Sequence, residues 1–86
     1  MPTSPFHTAL EKWRNAALKM SVAEAAYAEA FGKAYAESTG RTEKHRECEA
    51  EMATRPEREA RDLARIEERS AKWVVEYLMR HTEVAA

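Results

Sequence analysis

Tyr35-Ala36-Glu37-Ser38-Thr39-Gly40-Arg41-Thr42-Glu43-Lys44 decides the fold. To its left lies a long run of Ala, Glu, Leu and aromatic residues, all compatible with helix. Ser38-Thr39-Gly40 stops that run, with glycine past the helix end where it commonly sits. Thr42 then offers a side-chain oxygen to the first free backbone N–H groups of a new helix. The stretch ends one long helix and begins a short one, and two long helices joined by a short one fold back as an antiparallel hairpin.

Working outward, Thr8-Ala9-Leu10-Glu11 is a capping box, and the first helix is expected over residues 8–38 after an N-terminal arm of residues 1–7. Ser21-Val22-Ala23-Glu24 has the same form and would allow a kink near Met20, although the composition around it favours one continuous helix. A short helix is expected over 42–53. Thr54-Arg55-Pro56-Glu57 is a third capping box, with proline tolerated in the first turn, and the last helix is expected over 55–82. Phe6, Leu10, Trp13, Ala17, Met20, Tyr27, Phe31, Ala34 and Tyr35 recur at steps that place them on one face. In the last helix Ala60, Leu63, Ala64, Ala71, Val74, Tyr77, Leu78 and His81 recur in a similar way. The middle helix offers His45, Cys48 and Met52 on one side and is expected to pack across the open end of the hairpin, burying Cys48 as a small hydrophobe. The expected fold class is all-α: an antiparallel hairpin of two long helices with a short middle helix, forming one domain.

Composition agrees. Two glycines and three prolines in 86 residues leave too few turns for a sandwich or barrel. With 14 Lys+Arg against 15 Asp+Glu, the net charge of -1 disfavours a strongly basic nucleic-acid binder. No run approaches a membrane span. The first seven residues carry two prolines and no apolar run, which does not read as a secretory signal. The single cysteine fits a reducing compartment, so a cytoplasmic location is expected.

A chain this small has a slender core, and with no disulfide or metal motif to add stability it is expected to dimerise. Trp73, Val74, Val75, Tyr77, Leu78 and Met79 point almost all round the last helix. One hairpin cannot bury them all, which marks this end as an interface. Its occupant is a second copy in the plainer reading and a different protein in the sharper one, with Trp73, Tyr77, Met79 and Val75 as the partner-binding residues.

Catalytic patterns are absent from the sequence: no nucleophile elbow, phosphate-binding glycine loop or zinc-binding helix motif occurs. No catalytic residue, metal ligand or cofactor is assigned. His7, His45 and His81 fall on separate segments, none with a second ligand at helical spacing. Glu24 and Glu67 fall on the apolar faces of their helices. They read either as a paired-carboxylate site or as groups satisfied by Tyr27, solvent or a partner. At about 100° per residue, Arg55, Arg58, Arg61, Arg65, Arg69, Lys72 and Arg80 share about one third of the last helix's circumference. Such a stripe could track a nucleic-acid backbone, with Arg58, Arg61, Arg65, Arg69 and Lys72 as its contacts. The plainer reading, favoured because no aromatic residue is interleaved for base stacking, is a solvated face opposite the core held by Arg/Glu pairs.

Phe31-Gly-Lys-Ala-Tyr-Ala-Glu-Ser-Thr-Gly40, Arg46-Glu-Cys-Glu-Ala-Glu-Met-Ala-Thr54 and Ala60-Arg-Asp-Leu-Ala64 together resemble a group of small bacteriophage helical-hairpin proteins. The likeness covers about half the chain and rests on caps, small residues and a turn. It implies an early-region accessory that binds a host or phage protein, for example to inhibit a host defence or nucleic-acid enzyme. The alternatives are a nucleic-acid-binding accessory of phage recombination or replication, and a purely structural helical module.

Overall fold

The computed structural model describes residues 4–85, with side chains through His81. It is all-α: α1 spans Pro5–Glu37, α2 Glu43–Ala53 and α3 Arg55–Ala85. No helix among the described residues is long and apolar enough to cross a membrane.

α1 starts earlier than the Thr8 capping box suggests. Ser4 caps it instead, its Oγ accepting the His7 N–H at 3.1 Å, with Pro5 in the first turn where its missing N–H costs nothing. The helix runs unbroken through Ser21. At the corner Ser38 turns extended, its Oγ accepts the Gly40 N–H at 3.1 Å, and it also bonds the Glu49 carboxylate. Arg46 Nε donates to the Gly40 carbonyl at 2.9 Å. No glycine has a positive φ, so Gly40 serves a close approach here rather than a left-handed cap. A Cβ there would meet the Arg46 backbone nitrogen and His45 Cγ, each at 3.1 Å. Thr42 caps α2 as expected, accepting the His45 N–H at 3.1 Å.

The third capping box is not used as one. Thr54 is buried and donates its hydroxyl back to the Ala50 carbonyl at 2.6 Å. The Thr54 N–H also bonds Ala50, and the Arg58 N–H bonds Thr54, each at 3.0 Å. Helical bonding therefore carries through the junction. Pro56, which lacks an N–H and crowds the preceding turn, accounts for a break of only one residue. α2 is thus the first part of the hairpin's return arm. It packs on α1 and scarcely touches α3, so it does not lie across the open end. Its contact residue is Ala50, at 0% exposure, while His45, Cys48 and Met52 face solvent. The expectation of a buried Cys48 fails because the helix rotates Ala50, three bonds' worth of chain smaller than Met52, onto α1. Thr54→Val is expected to cost about 1 kcal/mol, the net worth of one buried hydrogen bond, read as a lower urea midpoint at unchanged slope.

α1 and α3 pack along most of their length. Ala9, Trp13, Ala16, Met20, Ala23, Tyr27, Ala30 and Ala34 of α1 are buried or half-buried, at alternating steps of four and three. Apart from Arg58, the described α3 side chains that are not exposed are Glu57, Arg61, Ala64, Glu68, Ala71, Val75 and Leu78, at the same steps. That is the spacing of an antiparallel coiled-coil seam. Both helices contribute alanines and larger side chains to the seam, with Trp13, Met20 and Tyr27 the large ones of α1. Leu63, Val74 and Tyr77, expected on the packed face, are exposed, and the seam runs instead through Ala64, Ala71 and Val75.

The result is a flat rod of 63 × 24 × 13 Å with a radius of gyration of 18.8 Å. A compact chain of this length would have a radius of gyration near 12 Å. Ala9, Ala50, Ala64 and Val75 are the buried apolar residues, and no large side chain among the described residues is fully buried.

Candidate interaction surface

With the seam occupying one side of α3, a second apolar row is left on another. Leu63, Ile66, Trp73 and Tyr77 are exposed, with Ser70 midway between Ile66 and Trp73 and Val74 alongside. The row repeats the three- and four-residue steps of the seam, about 150° round the helix from it. Trp73 is 62% exposed and Ile66 59%. Trp73 and Tyr77 stack with ring centroids 5.4 Å apart, and His81 continues the ladder 4.1 Å from Tyr77. Three rings at four-residue spacing thus form a firm aromatic ridge on the surface.

Two of the sequence-assigned partner residues, Trp73 and Tyr77, belong to this row. Val75 does not. It is 3% exposed and sits in the seam against α1, so it cannot meet a partner. Met79 is exposed, but on a side of α3 about 200° from Tyr77. Leu63 and Ile66 were legible as apolar, yet Leu63 reads as core on a helical wheel and Ile66 falls off the expected face.

The arginine stripe does not lie opposite the core; it runs along one edge of the seam. Arg61 Cζ sits 4.3 Å from the centre of the Tyr27 ring, and Arg61 also bonds Asp62 Oδ1 at 3.2 and 3.0 Å through Nε and Nη2. Arg65 Nε donates to Glu24 Oε1 at 2.9 Å. On the same edge the Trp13 indole N–H donates to Glu68 Oε1 at 2.9 Å. The two central arginines of the stripe therefore hold α3 to α1. Arg58 is half-buried, and Arg69 and Lys72 remain exposed. Tyr27, Phe31 and Tyr35 form a row along α1 beside these arginines, with successive centroids 5.9 and 6.4 Å apart.

Glu24 and Glu67 do not form a pair: Glu24 is engaged by Arg65 and Glu67 is exposed. No group of three His, Cys, Asp or Glu among the described residues could hold a metal ion. His7 and His45 approach Glu11 and Glu49 of their own helices at 3.4 and 3.1 Å. Glu57 Oε2 is buried in the seam without a hydrogen-bond partner. Sequence reasoning missed an open groove of about 410 Å³ near the free end of the hairpin, between Pro5, Thr8, Ala9 and Lys12 of α1 and Ala71, Val74 and Leu78 of α3. Its walls come from opposite ends of the chain, a pairing that no single-helix pattern displays.

No protein-family model matches the chain, and neither a curated protein nor a solved structure is similar to it.

Proposed function

We propose that the protein is a non-enzymatic accessory that acts by binding another polypeptide chain through the outer row of α3. The observation that carries this reading is the exposed run from Leu63 to Tyr77, which ends in the Trp73–Tyr77–His81 ladder. Stacked tryptophan and tyrosine are the side chains that most often dominate protein interfaces. An ordered apolar ridge on a chain with so small a core is costly unless it is covered. Given the likeness to phage early-region proteins, the expected setting is a bacterial cytoplasm, with a host defence or nucleic-acid enzyme as the kind of protein whose activity it modulates.

The test is retention from bacterial lysate on the immobilised full chain, with nuclease treatment, comparing wild type with Trp73→Ala. The expected result is one polypeptide, this chain included, held in near-stoichiometric yield after nuclease and lost with Trp73→Ala. Retention unchanged by Trp73→Ala would sink the assignment to this row. Nucleic acid retained in its place would favour the recombination or replication accessory.

A further inference from the structure

We infer that the outer row of α3 is covered by a second copy of the same chain, laid antiparallel across it about an axis near Ser70. This rests on the reading that the row is a protein-binding face, and it names the occupant.

Surface area argues first. The chain exposes 6886 Å². A folded monomer of its mass exposes about 5,200 Å², leaving an excess of roughly 1,700 Å². A stable interface needs only about 800 Å² from each partner. Packing points the same way, since no large side chain among the described residues is fully buried within the hairpin.

The row is also complementary to itself in one direction only. Leu63 and Ile66 precede Ser70 by seven and four residues; Trp73 and Tyr77 follow it by three and seven. An antiparallel partner sets the aliphatic half of one copy against the aromatic half of the other, with the small serine at the crossing point. A parallel partner would set tryptophan on tryptophan and tyrosine on tyrosine. Charge agrees: antiparallel pairing brings Glu59 of one copy toward Arg80 and His81 of the other, whereas parallel pairing opposes like with like and aligns the helix dipoles unfavourably. The two-fold arrangement is the commonest for oligomers of one chain, and here it yields a nearly flat four-helix layer with both α3 helices inside.

Sedimentation equilibrium of the purified full chain should give twice 9.8 kDa at micromolar concentration. Trp73→Ala and Ile66→Ala should each raise the dissociation constant by about tenfold or more. Direction is read by cross-linking with a short bismaleimide in a Cys48→Ser background, because Cys48 is itself exposed. Ser70→Cys should cross-link alone and Leu63→Cys alone should not, while a mixture of Leu63→Cys and Tyr77→Cys chains should. Melting of the wild-type chain, which needs no variant, should move up with protein concentration. A mass of 9.8 kDa at every concentration, with melting independent of concentration, overturns the second copy. Cross-linking by Leu63→Cys alone overturns the antiparallel direction. Monomeric protein that still retains a different polypeptide through Trp73 would refute this inference while upholding the binding row; monomeric protein that retains none refutes both.

Discussion

Val75→Asp is expected to unfold the hairpin, while Val74→Asp, one residue away, leaves its helices in place. Val75 is 3% exposed in the seam and Val74 is 41% exposed beside the outer row. A carboxylate at position 75 is pressed against α1 in the seam and loses its hydration, at a cost of about 3 kcal/mol or more. Net stability of a chain this short is itself about 3–5 kcal/mol, so most molecules unfold. A carboxylate at 74 stays hydrated and changes the hairpin's own stability by about 0.5 kcal/mol or less. Its effect falls on association, because it borders the row proposed for a second chain. Far-UV circular dichroism separates the two. Full helicity in Val75→Asp would mean that α3 is rotated about its axis from the position described.

Joint reversal of Arg61 and Arg65 to Glu is expected to lower stability by about 2–3 kcal/mol. Loss of the Arg61–Tyr27 contact accounts for about 1–2 kcal/mol, since the Arg61 side chain is only 19% exposed. The Arg65–Glu24 pair is about half exposed and contributes at most about 1 kcal/mol. Reversal also sets two carboxylates against each other at positions 24 and 65. Chemical denaturation measures the loss, and a midpoint equal to wild type would refute a fastening role. A consequence follows for the nucleic-acid alternative. Lost binding in the Arg61/Arg65 variant would report unfolding as readily as lost phosphate contacts. Arg69→Glu with Lys72→Glu is the cleaner probe, because both side chains are exposed. That pair should leave stability within about 0.5 kcal/mol of wild type.

Features written in local chemistry were legible in the sequence. The stop at Ser38, the cap at Thr42 and the face of α1 around Trp13, Met20 and Tyr27 each depend on a few neighbouring residues. The face of α3 was not, since it carries two rows at nearly the same spacing. Hydrophobicity favours Leu63 and Ile66, yet the seam runs through Ala64, Ala71 and Val75. What selects it is the fit of the two helices together, with Arg61 over Tyr27 and the Trp13 indole on Glu68, a property of the pair and invisible in either helix alone. Arg61 misled for the same reason: as an isolated residue it belongs on a surface, and only Tyr27 opposite gives it work at a seam. Thr54-Arg55-Pro56-Glu57 misled differently. Its pattern marks a helix start, but a hydroxyl can bond forward to a free N–H or back to a carbonyl, and the chain before Thr54 was already helical. Val75 and Met79 were chosen from a segment apolar all round, where periodicity gives no direction.

The seam's one-layer construction shapes how the molecule comes apart. Each step of the coiled coil touches mainly the steps before and after it, with the Ser38–Glu49 corner tying one end and both chain ends at the other. Such an assembly behaves like a zip with a fixed stop. Opening begins at the free end, near Pro5 and Leu78, and travels toward the corner. Shortening the arms from that end therefore removes length before it removes the fold, and the residues nearest the corner are the last to let go.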